Sequence, residues 1–272
     1  MILKKKFLFN LFLLKIAILF CQENHNSHSI NDSIKINSFK HGEWFEYRIH
    51  YGFINAGFAT LEIIEDSINN KAVFHSKGYG KTVGLARLFF KVEDFYESYF
   101  DKFTGLPYKF IRNIYEGGYT KNTEIFFNHK LGLANVDDKK NDKKYSLPLN
   151  KNAQDMISAF YYLRNFFNPS EIKVDDTLDI NMFFDNENYI FKLKFLGIEI
   201  LETKFGKINC LKLRPYVQSG RVFKAQESVT LWVSNDKNKL PIRLQANLAV
   251  GAIKCDLENF KNLNHPFSLT LN

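Results

Sequence analysis

The stretch SNDKNK, Ser234 to Lys239, puts a hydroxyl, a carboxylate and two amines within six residues, between the apolar runs TLWV and LPIRL. A serine nucleophile needs a base within hydrogen-bond reach, and no histidine stands nearby in the sequence. Turn chemistry accounts for the residues instead. Asn235, Asp236 and Asn238 favour corners, and Pro241 presets the backbone of a departing strand. A relative of this segment, SYFDKFTGLPYKFIRN, occupies 98 to 113, with Leu106-Pro107 in the place of Leu240-Pro241. A device used twice points to architecture rather than to an active site.

The second stretch with chemical content is YEGGY, 115 to 119. Gly117 and Gly118 suit a bulge or a close backbone approach, and Glu116 is placed to pair with Arg112 or Arg164. Glu116 and Arg164 together are the candidate polar site. The seven histidines are scattered, with no H-x-x-x-H and no Cys-x-x-Cys, so no metal site is nominated. G-x-S-x-G, the Walker loop and G-x-G-x-x-G are all missing from the sequence. No catalytic residue and no cofactor emerges, and a non-enzymatic protein is expected.

The elements that would position these residues are mostly strands. Phe45, Tyr47, Ile49 and Tyr51 alternate with Glu46, Arg48 and His50, the period of a half-buried strand. Asn55 to Gly57 interrupts the run as the turn of a hairpin, and Ala59, Leu61 and Ile63 resume it. Strands separated by turns continue to about residue 140. KTVGLARLFFKV reads as a short helix or an irregular crossing. One convincing helix follows at 152 to 167, with Asn152 as its cap, Met156, Phe160 and Leu163 on one stripe, and Pro169 beyond its end. Four strands are then expected between Asp176 and Val217 and three between Glu227 and Phe260. Strands, one helix and strands again predict a mainly β fold: a large curved antiparallel sheet, half-barrel or barrel-like, with one main α-helix packed on it.

Aromatic residues make up 16% of the 272, with 28 Phe and 13 Tyr, enough for a wide apolar interior. Phe45, Tyr47, Phe110, Phe160 and Trp232 form the candidate ligand cavity; packed core is the other reading of the same residues. Cys210 and Cys255 fall in strands and stay open between free thiols and a disulfide.

The N-terminus carries Lys4, Lys5 and Lys6 before an apolar stretch from Phe7 to Phe20, the pattern of a cleaved export signal over residues 1–21. Cys21 raises lipidation, but Phe20 stands where a lipobox has a small residue, so ordinary cleavage is the favoured reading. Residues 22–40 read as a flexible lead-in, 41–260 as a single β-rich domain and 261–272 as a C-terminal tail. The formal charge of +8 falls to +4 without the four lysines of 1–21. The run DDKKNDKK reads as a solvated loop, and no nucleic-acid partner is expected.

GEWFEYRIHYGFINAGFATLEI, YEGGY, DMISAFYYLR, FGKINCLKLRP and the LWVSNDKNKLPIRL…GAIKCDL block occur in that order. Together they resemble the DUF3108 family of exported bacterial proteins, over roughly residues 41–258 and without an established biochemical role. More loosely, the two Leu-Pro hairpins are similar to those of periplasmic lipoprotein carriers of the LolA/LolB type. That likeness implies a half-open barrel with a helical lid over an apolar cavity. It brings the expectation of a protein in the periplasm or at the outer-membrane periphery, associating with the membrane surface and holding a lipid or other apolar small molecule. The alternative is an assembly factor that meets other envelope proteins through its surface; an envelope hydrolase is the weakest reading.

Overall fold

The computed structural model describes residues 27–28, 37–216 and 229–270. The expected export signal and Cys21 lie outside the described residues. The first strand, β1 (Ser27–His28), is two residues long. It is followed by β2 (Glu43–Tyr51), β3 (Ile54–Ile68), β4 (Lys71–Thr82), the short helix α1 (Gly84–Phe89), β5 (Val92–Asp101), β6 (Pro107–Glu116), β7 (Tyr119–Asn128), β8 (Leu133–Asp138) and β9 (Lys143–Pro148). Helix α2 (Met156–Phe166) and a 3-10 turn at Pro169–Glu171 interrupt the strands. Then come β10 (Thr177–Phe184), β11 (Glu187–Thr203), β12 (Gly206–Pro215), β13 (Val229–Ser234), β14 (Pro241–Asn247) and β15 (Ala252–Lys261).

All strands join one curved sheet as an antiparallel meander, except that β1 pairs in parallel with β10. The last strand returns to the first long one, with Ile253 opposite Tyr51. The ladder therefore closes everywhere but between β9 and β10, consecutive strands that form its two sides of a seam. Side chains stitch that seam: Asn188 Nδ2 donates to the Pro148 carbonyl, and the Asn150 N–H donates to Asn188 Oδ1. An eight-stranded barrel is just filled by its own side chains. This wider barrel needs more, and the chain between β9 and β10 supplies α2 to its interior.

Antiparallel alternation puts the β2–β3, β4–β5, β6–β7, β10–β11 and β14–β15 connections on one rim. The β3–β4, β5–β6, β11–β12 and β13–β14 turns lie on the other. Both Leu-Pro corners belong to the second rim, and Pro107 and Pro241 each open a strand, where no ladder donor is lost.

Three local expectations are corrected. The β2–β3 turn is Gly52-Phe53, not Asn55 to Gly57. Gly57 sits inside β3, where a Cβ would meet the Lys81 carbonyl oxygen at 2.5 Å, so the position needs glycine for close strand approach rather than for a turn. Residues 177–215 form three strands instead of four, because β11 runs unbroken for 17 residues through a bulge at Phe195–Gly197. The α2 cap is Asp155, whose side chain accepts from the Ile157 and Ser158 N–H groups while the Ser158 hydroxyl accepts from the Asp155 N–H. Asn152 lies before the helix at φ 57°.

The ends of the domain are also packed. Ser38 and Phe39, inside the expected lead-in, are buried, and the Ser38 N–H donates to Asn165 Oδ1. In the tail, Phe267 packs on Phe260 and Phe205. Cys210 and Cys255 are free thiols, each pushed up to about 12 by burial and neighbouring carboxylates.

Candidate functional site

Helix α2 is buried on most of its surface, and its neighbours differ from face to face. One face packs tightly on the β3–β5 wall. Gly78 leaves room for Ile157, whose Cδ1 lies 3.8 Å from where a Gly78 Cβ would be. Tyr161 is stacked at 5.4 Å from Phe100 and edge-on to Phe39 at 4.7 Å. Polar ties hold the helix to this wall: the Ser98 hydroxyl donates to Asp155 Oδ2 at 2.6 Å, and the Ser76 hydroxyl to Tyr161 Oη at 3.3 Å.

The other face looks across a gap. Met156, Ala159, Phe160 and Leu163 form its helical wall. Met182 and Phe184 of β10, Tyr189, Phe191 and Leu193 of β11, Pro215, Leu231 and Leu244 form the sheet wall. The space between measures about 240 Å³, and no lining residue is charged. Phe184 and Pro215 are the last residues of β10 and β12, so the cavity lies toward the rim of the β2–β3 turn.

Of the residues expected to form a cavity, Phe160 lines this one. Phe45 and Trp232 sit in a separate buried cluster with Cys210, Leu240 and Ile242, and Tyr47 packs against that cluster. Trp232 follows the lining residue Leu231, so strand alternation turns it to the opposite side, where Lys212 Nζ lies 5.7 Å from its ring. Phe110 is packed with Tyr96 and Ile114 in the largest core cluster. The β10–β11 side chains that form most of the sheet wall had no distinguishing signal beyond their apolar character.

Glu116 and Arg164 occupy separate places. Arg164 is buried against Glu43, donating from Nη1 at 2.6 Å and from Nη2 at 2.8 Å, with Nε on the Asn238 carbonyl and Nη2 also reaching the Ser38 carbonyl. Burial works against its charge, and Glu43 outweighs it, holding the guanidinium above its ordinary value. Lys239 adds a donor from the corner to the Arg164 carbonyl, and burial first, then the Arg164 charge, lowers its amine to about 8. SNDKNK is therefore a corner that clamps the C-terminal end of α2. Asp236 Oδ1 organises it by accepting from the Asn238 and Lys239 N–H groups and the Ser234 hydroxyl.

Glu116 instead lies beside Asp94 at the other rim. Burial, and then the Glu116 charge, push Asp94 up to about 7. Arg112 of the same strand pairs with Asp185 of the β10–β11 turn at 2.5 Å and lies 4.8 Å from the Phe184 ring. That contact ties the polar wall to the edge of the cavity across the seam.

The family described as "Protein of unknown function (DUF3108)" matches residues 46–258. The chain belongs to the DUF3108 family. Its matched region runs from within β2 to within β15 and so contains β3 to β14, both Leu-Pro corners and α2. Among solved structures, this DUF3108 chain is similar to a β-barrel-like protein of the domain of unknown function DUF1849 from Brucella abortus. The TM-score is 0.52 at 8% identity, covering 83% of this chain and 98% of that one. At that identity the likeness concerns the fold: the barrel-like sheet is shared. A putative lipoprotein from Parabacteroides distasonis ATCC 8503 aligns over 85% of this chain and 100% of its own, with a TM-score of 0.35 and 10% identity. No curated protein matches the chain. Among the described residues, no helix is long and apolar enough to cross a membrane.

Proposed function

We propose that this DUF3108 protein is an exported envelope protein that binds a single acyl chain or a similar apolar ligand and carries out no reaction on it. The observation that supports this reading is the uncharged cavity of about 240 Å³ between α2 and the β10–β14 wall. Small-molecule sites commonly measure about 300–1,000 Å³. The smaller size here suits one extended chain rather than a two-chain lipid. An apolar cavity of this kind holds water poorly. Ten buried methylenes would contribute about 8 kcal/mol, from which the cost of immobilising the chain is subtracted. Affinity in this design comes from contact with Phe160, Leu163, Phe191 and Leu231 and needs no charged anchor. Export is the part of the proposal that rests on the N-terminal sequence pattern.

Titration with a long-chain fatty acid, read by native mass spectrometry, tests the proposal. The parent protein is expected to take up one chain, and Ala159→Phe, which projects a ring into the cavity, to lose it. Uptake unchanged by Ala159→Phe would place the ligand elsewhere and defeat the reading.

A further inference from the structure

The rim nearest the cavity is where the barrel shows its most exposed apolar side chains. Phe53, at the tip of the β2–β3 turn, is completely exposed. Helix α1, in the β4–β5 connection, buries none of its residues, and its Leu88 and Phe89 are 80% and 85% exposed. Val250, in the β14–β15 turn, is 77% exposed. Strands β14, β15, β2, β3, β4 and β5 are consecutive neighbours, so these three connections stand side by side. They are also joined: Tyr51 Oη donates to the Val250 carbonyl, and α1 begins against β3, with the Val83 N–H donating to the Ala56 carbonyl. The opposite rim presents Phe103 and Leu131 on two different turns. A contiguous exposed apolar patch marks a surface that meets something.

The charge around the patch decides what it meets. Beside the patch stand Lys81 at the end of β4, Arg87 in α1 and Lys91 after it, against one carboxylate, Glu93, which pairs with Arg87 at 2.8 Å and with Lys91 at 2.9 Å. The β2–β3 and β14–β15 turns carry no carboxylate, and Lys254 follows the second. Tyr51, Tyr115 and Tyr119 are partly exposed on the same rim, with Lys91 Nζ 5.1 Å from the Tyr115 ring and Lys140 Nζ 5.6 Å from the Tyr119 ring. Apolar tips, amphipathic rings behind them and an excess of lysine and arginine are what an anionic bilayer surface attracts.

We infer that this rim docks onto an anionic lipid bilayer, with Phe53, Leu88, Phe89 and Val250 entering the acyl boundary and Lys81, Arg87, Lys91 and Lys254 at the headgroups. The cavity lies toward the same rim. Docking would therefore bring the cavity's end of the barrel to the source of acyl chains. That purpose rests on the proposed ligand reading; the membrane contact itself is measured apart from it.

The test is flotation with vesicles of phosphatidylcholine alone and with about one third phosphatidylglycerol. The exported chain is used, verified by mass to begin after Cys21 and to carry no lipid. Binding is expected to the anionic vesicles, weakened by raising salt well beyond physiological strength. Phe53→Ser/Leu88→Ser/Phe89→Ser, all on exposed positions, is expected to weaken it about tenfold or more with an unchanged circular dichroism spectrum. Ala159→Phe should float like the parent even though it takes up no fatty acid. A parent that floats with anionic vesicles but binds no fatty acid supports docking and counts against the cavity alone. Flotation equal for parent and triple-serine protein overturns docking. So does a parent that ignores both vesicles and self-associates through these residues.

Discussion

The two faces of α2 meet the same barrel with different results. Toward β3–β5 the interior is full: Ile157 fits over Gly78, and Tyr161 packs with Phe39 and Phe100. Toward β10–β14 the packing is incomplete: Ala159 meets Ile180 and Met182, while Met156, Phe160 and Leu163 line a gap opposite Phe191 and Leu231. Both walls are rich in aromatic residues, so composition does not separate them. Small strand residues and tethers do. Gly78 and Ser76 let the helix approach one wall, and Ser98–Asp155 and Glu43–Arg164 hold it there. A helix tied to one wall and resting on the other at Ala159 leaves room beside that contact.

The most severe way to break this asymmetry is to cut a tether. Arg164→Ala leaves Glu43 buried without its partner, and a loss of about 3–5 kcal/mol is expected in urea unfolding. Next comes truncation of the packed wall: Phe100→Ala should cost about 3–5 kcal/mol. Leu244→Ala on the open wall, where the side chain is partly exposed, should cost less than about 1 kcal/mol by the same measurement. Equal costs on the two walls would mean that the cavity closes in solution.

A smaller effect sharpens the comparison from the polar side. The carboxyl of Asp94 is held up at about 7, above its ordinary value of 3.8, chiefly by burial. The native state therefore binds more protons than the unfolded chain between those values, and stability falls as pH rises from about 4 to 7. Below 3.8 both states are protonated; above 7 the full penalty for the buried charge applies. Asp94→Asn should raise the melting temperature at pH 8 and change it little at pH 4. A parent whose melting temperature rises over that window, with the increase lost in Asp94→Asn, would reverse the assignment.

Much of the scaffold could be read from the chain, because alternation and turn residues are local. Phe45, Tyr47 and Ile49 announced a strand, and Pro107 and Pro241 marked strand starts that the structure keeps. The Asp155–Ser158 capping box was also local, yet Asn152 competes with it in sequence and only the backbone decides. The site was less legible. Arg164 finds Glu43, 121 residues away, whereas Glu116 had looked equally suitable on charge alone. Phe160 could be assigned to the helix stripe, but the β10–β11 residues facing it become a cavity wall only once the helix is tethered to the opposite side. Strand periodicity says which side chains share a face; it does not say how far away the next layer stands.

The central claim is that the gap between α2 and the β10–β14 wall is a binding site for an acyl chain. Isothermal titration of the exported protein with a long-chain fatty acid, beside Ala159→Phe at matched stability, tests it most directly. The account predicts one site on the parent and none on the variant. A parent that binds no fatty acid, or a variant that binds it as well as the parent, would contradict it.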